Sequence, residues 1–194
     1  MRAIKIILFM MVIFIGCKGE NATKHEHSNN ENVEEKVDST KKKVLSPHTS
    51  TMAMIGEAHI HIDYSSPGVR GRIIFGGLLA FDEVWQAGAH MATWIETNIE
   101  LSIEGNTLPA GKYGFFIIPS QADWTLIFNS NWDQHGKDEY DEKEDLFRFK
   151  IKPDISETST EHLSYNINKI DESHGTISFA WEKVSLKFNF EIKN

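Results

Sequence analysis

Between Met52 and the C-terminus, large apolar residues recur at every second position in short runs. Ile60, Ile62 and Tyr64 alternate with His59, His61 and Asp63. Phe147, Phe149 and Ile151 alternate with Arg148 and Lys150, and Ile177, Phe179 and Trp181 with small residues. Val184, Leu186, Phe188, Phe190 and Ile192 alternate with Ser185, Lys187, Asn189 and Glu191. Ile95, Ile99, Leu101 and Ile103 share one parity on either side of Asn98. Period two with aromatic and β-branched content predicts strands with one buried face. Tyr113 to Ile118 and Trp124 to Phe128 are apolar on both parities, which predicts central strands. Turn signals separate the runs at Ser66-Pro67-Gly68, Glu104-Gly105-Asn106, Pro109-Ala110-Gly111, Pro119-Ser120 and Ser173-His174-Gly175. Only Phe81 to Ala87 reads as briefly helical, and no internal repeat is visible. Many short strands at close spacing predict an all-β fold: a single antiparallel β-sandwich or barrel-like domain.

The first fifty residues have a different pattern. Met1, Arg2 and Lys5 precede an apolar run from Ile6 to Ile15, and the small Gly16 precedes Cys17. A basic start, a short apolar run and a small residue before the cut form a secretory signal. The run is too short to span a bilayer, which needs about 20 apolar residues. Phe14-Ile15-Gly16-Cys17 resembles the lipobox of a bacterial lipoprotein signal. That resemblance implies that the Cys17 thiol takes a diacylglycerol and becomes the new N-terminus. Residues 18 to about 50 are rich in Lys, Glu, Asn, Ser and Thr, with almost nothing to bury. The expected organisation is a signal peptide over 1–16, a flexible polar tether over 17–50 and a β-rich domain over 51–194. The expected location is the cell envelope, with the domain on the periplasmic or extracellular side of a membrane. His25 and His27 fall in the tether, where solvated histidines are expected.

Charge and cysteine usage narrow the function classes. The 194-residue chain has a formal charge of −8. An acidic balance argues against nucleic acid, which selects basic surfaces, and against electrostatic adhesion to anionic lipid. The membrane is expected as a partner only through the anchor at Cys17, by burial of acyl methylenes. Cys17 is the sole cysteine, so the domain has no disulfide and must rest on its core.

An ordered set of segments resembles the bacterial family called domain of unknown function 2911. The set comprises Tyr64 to Arg72, Ile74 to Leu78, Val84-Trp85 with Gly88-Ala89, Thr93 and Glu96, Leu108 to Pro119, Trp124 to Asn129, and Glu144 to Arg148. The resemblance covers roughly residues 55 to 192. It implies secretion and a β-rich domain, but no reaction. Many members read Gly-Ala-Asn-Glu where this chain reads Gly88-Ala89-His90-Met91. Many also lack the His59-Ile60-His61 and Trp132-Asp133-Gln134-His135 forms, which marks a histidine-bearing subset.

Histidines are the sharpest candidates for chemistry. His59 and His61, at i and i+2 on a strand, project from one face about 6.5 to 7 Å apart. Joined by His90 and His135, they are candidate ligands for Zn²⁺ or another transition metal. Asp63 and Glu96 are candidates to add a carboxylate or to orient a histidine. Arg70 and Arg72 follow a Pro-Gly turn on one side of an extended chain, a pattern suited to a carboxylate or phosphate. The alternative is an ion pair with Glu83 or Glu96. Trp124 and Trp181 occupy core positions, whereas Trp85 and Trp132 are candidate pocket walls. If a metal-bound water is the nucleophile, Asp133 or Glu96 is the candidate base.

Three readings follow. The leading one is a ligand- or metal-binding accessory domain with a pocket walled by Trp85, Trp132 and Arg72, serving a small ligand or an envelope protein. A second is a metal-dependent hydrolase with an ion held by the four histidines. A third is a structural envelope lipoprotein. Convergence or scatter of the histidine side chains separates them.

Overall fold

A computed structural model describes residues 44–193. The signal segment, Cys17 and the tether up to residue 43 lie outside the described residues. Ten strands follow in order: β1 (His48–Ile55), β2 (Ala58–Ser65), β3 (Trp94–Thr97), β4 (Leu101–Ile103) and β5 (Asn106–Leu108), then β6 (Gly111–Ile118), β7 (Trp124–Asn129), β8 (Asp145–Ile151), β9 (Asp154–Lys169) and β10 (His174–Ile192). The first strand opens at His48, inside the stretch expected to be tether. One 3₁₀ turn, Glu142–Glu144, precedes β8.

The strands form two antiparallel sheets, one of six strands in the order β1-β2-β3-β6-β7-β8 and one of four in the order β5-β4-β10-β9. The sheets do not close on each other, so of the two expected shapes the fold is the sandwich. Its core joins positions that period two selected with residues of the doubly apolar β6 and β7 and of β9. Ile60, Ile62, Ile95, Phe115, Leu126 and Phe128 of the larger sheet are fully buried. They face Leu163, Tyr165, Ile177, Phe179, Leu186 and Phe188 of the smaller one, all buried. Phe115 sits among Phe128, Phe188 and Tyr165 with ring centroids 5.3, 6.0 and 6.3 Å away. Burying each such ring stabilises the fold by about 1.5–3 kcal/mol.

The last strand carries a change of parity. Its inward residues are odd-numbered through Ile177, Phe179 and Trp181, then even-numbered from Val184 to Ile192. A one-residue slip would turn the second half inside out. The strand absorbs it with an irregularity between Ala180 and Val184, where Glu182 takes φ 55°. The two runs are therefore one 19-residue strand.

The helix expected over Phe81–Ala87 does not form. Asp82 and Ala87 have φ 62° and 53°, which helical backbone excludes. Trp85 instead exchanges two backbone bonds with Ile117, at 2.8 and 2.9 Å, extending the sheet beside β6.

The two strands expected to be central are covered on both faces. Phe116 and Ile127 are register partners that point away from the main core, and both are fully buried. Ala92, Val84 and Tyr140, from the segments on either side, pack over them. The Tyr140 hydroxyl lies 3.0 Å from Asp145 Oδ2 and accepts from Arg148 Nη2 at 2.8 Å. Burial first, then the Asp145 carboxylate, pushes that phenol well above its ordinary range and keeps it neutral.

The turn from β9 to β10 gives a pH prediction. Asp171 accepts from Ser173 N at 2.8 Å and His174 N at 2.9 Å, and its Oδ1 lies 2.9 Å from His174 Nδ1. The Ser173 amide bond above all, then His174, pulls its carboxyl down to about 2. A folded value below the ordinary 3.8 means that the stabilisation is fully present above about pH 4. It is lost as pH falls towards 2. The Ser173 and His174 amide resonances should therefore titrate with a midpoint near 2. A midpoint near 4 would show that these bonds do not favour the ionised form.

Candidate functional site

The segment 67–72 turns tightly beyond β2. Arg70 and Gly71 both have positive φ, 50° and 68°. Arg70 N donates to Glu161 Oε1 at 2.9 Å, and Val69 N to the Glu161 carbonyl at 2.8 Å, tying the turn to β9. Arg72 donates from Nε to the Val69 carbonyl and from Nη2 to the Gly68 carbonyl, at 3.0 and 2.6 Å. Neither guanidinium has a carboxylate partner among the described residues. The expected alternative of an ion pair with Glu83 or Glu96 does not form: Glu83 pairs with Lys137 at 3.2 Å and Glu96 with Lys112 at 3.7 Å.

These arginines open onto a cavity of about 310 Å³, shared with Trp85, Gln86, His90 and Trp181. No Asp or Glu lines it. Trp85 stacks on Trp181 with centroids 5.6 Å apart, and its Nε1 donates to the Gly88 carbonyl at 2.9 Å. The indole N–H of Trp181 is buried and has no acceptor. The wall at 86–90 is pinned from below. The Ala87 carbonyl accepts from Tyr165 Oη at 2.7 Å and Thr93 Oγ1 at 2.9 Å. Gly88 is required there, because a Cβ would stand 2.6 Å from Thr93 Oγ1. Full burial raises the Tyr165 phenol far above its ordinary range, so it stays a donor.

The other candidates meet on the outer face of the larger sheet. Lys112 Nζ lies 3.9 Å from the Trp94 ring centroid and 4.4 Å from that of Trp132, between two indoles 6.3 Å apart. Gly114 permits this approach: a Cβ there would meet the Asn131 carbonyl at 2.9 Å. Asp63 pairs with His48 at 2.8 Å. Both border a small hollow of about 180 Å³ together with Trp94, Trp132 and Asp133. The single pocket expected from Trp85, Trp132 and Arg72 is thus two. Trp85 and Arg72 share one, and Trp132 belongs to the other.

The four histidines do not converge. His59 and His61 stand together on β2, with ring centroids 6.1 Å apart. His90, at φ 63°, lines the arginine cavity. His135 bonds towards Asp138 at 3.4 Å with its side chain 71% exposed. A main-chain bridge between Met91 and His135 brings the last two segments together, but not their rings to β2. Among the described residues, no three His, Cys, Asp or Glu side chains are grouped to hold an ion. The physical reason is that strand parity selects a face, not a neighbour, and His90 is turned by a left-handed backbone.

A further cavity, about 690 Å³, lies elsewhere, between the 120–124 turn and the Glu182 irregularity. Its charges are mixed, with Lys152, Asp123 and Glu182 all lining it, and none of the candidate residues does.

The motifs that frame the arginine cavity are those on which the family resemblance rests. A family model described as "Protein of unknown function (DUF2911)" matches residues 46–190. The chain belongs to this family. No curated protein and no solved structure matches it. The matched residues span both sheets and include those that line the arginine cavity.

Three contributors escaped the sequence reading: Trp181 as a wall, Lys112 between indoles, and Tyr165 beneath the loop. The alternation of Leu163, Tyr165 and Ile167 was the available signal for the last. Tyr165→Phe should cost about 1 kcal/mol, the usual worth of one internal hydrogen bond. It should also speed amide exchange at 86–90 selectively. Unchanged exchange there would show that the hydroxyl does not pin the wall.

Proposed function

We propose that this chain is a cell-envelope lipoprotein whose sandwich binds a small anionic ligand at Arg70 and Arg72. The carrying observation is a cavity lined by two arginines and a histidine, with no carboxylate, in a chain of net charge −8. Guanidinium groups bind carboxylate or phosphate in paired, charge-assisted hydrogen bonds. The cavity volume falls at the small end of the range for ligand sites, about 300–1,000 Å³. The segment Phe14-Ile15-Gly16-Cys17 supports membrane attachment through a diacylglycerol on Cys17. The hydrolase reading loses its support with the scatter of the histidines.

Arg70→Gln is the cleaner probe, because its side chain braces nothing, whereas Arg72 also holds its own turn. Succinate and inorganic phosphate should raise the melting temperature of the wild-type protein. Arg70→Gln should weaken the better of the two roughly tenfold to a hundredfold, the worth of a charged hydrogen bond. Equal shifts in both proteins would refute the site, and no shift with either anion would favour a structural lipoprotein.

Anchoring is tested separately. Cys17→Ser should abolish incorporation of labelled palmitate and release the protein from the membrane fraction. Retention of label would mean that Cys17 is not the lipidated residue.

A further inference from the structure

The hairpin of β1 and β2 places two sulfur ligands against two nitrogen ligands. The register pairs Met52 with His61 and Met54 with His59. All four belong to the parity opposite the buried Ile60 and Ile62, so they share the outer face of the larger sheet. Directly opposed side chains on an antiparallel pair have Cβ atoms about 4.5–5.5 Å apart. Single exposed methionines are ordinary, but these two are each 60% exposed at i and i+2, both facing histidine.

We propose that Met52, Met54, His59 and His61 form a binding site for a cuprous ion. Thioethers are soft ligands that select Cu(I), and imidazole suits copper and zinc alike. The quartet holds no carboxylate and no thiolate, which leaves it poorly matched to harder divalent ions. None of the four is an anionic donor, in keeping with a monovalent ion. A metal–nitrogen bond of about 2 Å places an ion about 3 Å from each imidazole centroid. Rings 6.1 Å apart therefore span one ion. His61 Nε2 is buried without a hydrogen-bond partner, a state that native structures rarely leave unsatisfied. The Trp94 ring, which carries Lys112 over it, packs against His61 in a T-shape at 4.9 Å and fixes the orientation of that imidazole. Glu96 lies opposite His61 on β3 but is engaged by Lys112. None of the four residues lines the arginine cavity, so the site stands whether or not that cavity binds an anion.

The test uses the full chain in detergent, with Cys17→Ser so that a thiol does not compete. Cu(I) is offered under anaerobic conditions against bicinchoninate, and Ag(I) serves as a redox-inert probe for NMR. One equivalent of Cu(I) should be withheld from the competitor. Ag(I) should shift the ε-methyl signals of Met52 and Met54 and leave Met91 in place. Met52→Leu with Met54→Leu preserves volume at exposed positions. It should weaken Cu(I) binding about a hundredfold without changing the metal-free melting temperature. His59→Ala with His61→Ala should do the same to the affinity. Copper held equally by the methionine variant, or lost only on replacing His25 and His27, would overturn the site. Zn²⁺ bound as tightly as Cu(I) would overturn the choice of ion.

Discussion

Phe116 and Ile127 point out of the sandwich, and their burial dictates much of what lies outside it. A strand pair apolar on both faces cannot leave one face in water without exposing two large side chains. The chain covers them with the segments that precede β3 and β8, through Val84, Ala92 and Tyr140. Those segments then satisfy each other: Ala92 N donates to the Gln134 carbonyl at 2.9 Å and Gly136 N to the His90 carbonyl at 2.7 Å. Ala87 and His90, the positive-φ positions of the 86–90 wall, belong to that covering or its approach. The site is thus a by-product of closing an apolar surface, rigid because the surface must stay closed.

Alternation of apolar residues was enough to read the core, because a half-buried strand leaves that mark directly in the chain. Ile60, Ile62, Phe179, Leu186 and Phe188 all lie where period two put them. The first half of β9 left no such mark. Asp154 to Ser159 is exposed throughout, and its strand form comes from pairing with β10, a tertiary cause that local pattern does not record. The false helix at Phe81–Ala87 fails for a related reason. Its apolar spacing reflects Trp85 turned into the main core and Val84 packed on the outer cluster.

The candidate site was legible in residue type but not in grouping. Arg72, Trp85 and His90 were each picked out, and they meet. Trp132 and Asp133 were picked out with them and lie on another face. The difference turns on backbone conformations at non-glycine positions that no propensity favours: Arg70, Ala87 and His90. Tyr165 and Thr93 over-determine one of them by holding the same carbonyl. A contact between residues 78 positions apart has no signature in a single sequence.

The same covering explains why the two proposed sites differ so much in exposure. It reaches across the outer face as far as Trp132, which rests by Trp94 and Lys112 because Gly114 leaves room. Beyond that aromatic edge β1 ends the sheet, and among the described residues its outer face is exposed at Met52 and Met54. An anion at the arginines is therefore held by a preformed, pinned wall, and its selectivity is set by geometry. A cation at the methionines meets flexible thioethers on an open strand pair, where selectivity must come from ligand softness instead. The two proposed sites share no residue, so a change at one leaves the ligands of the other in place.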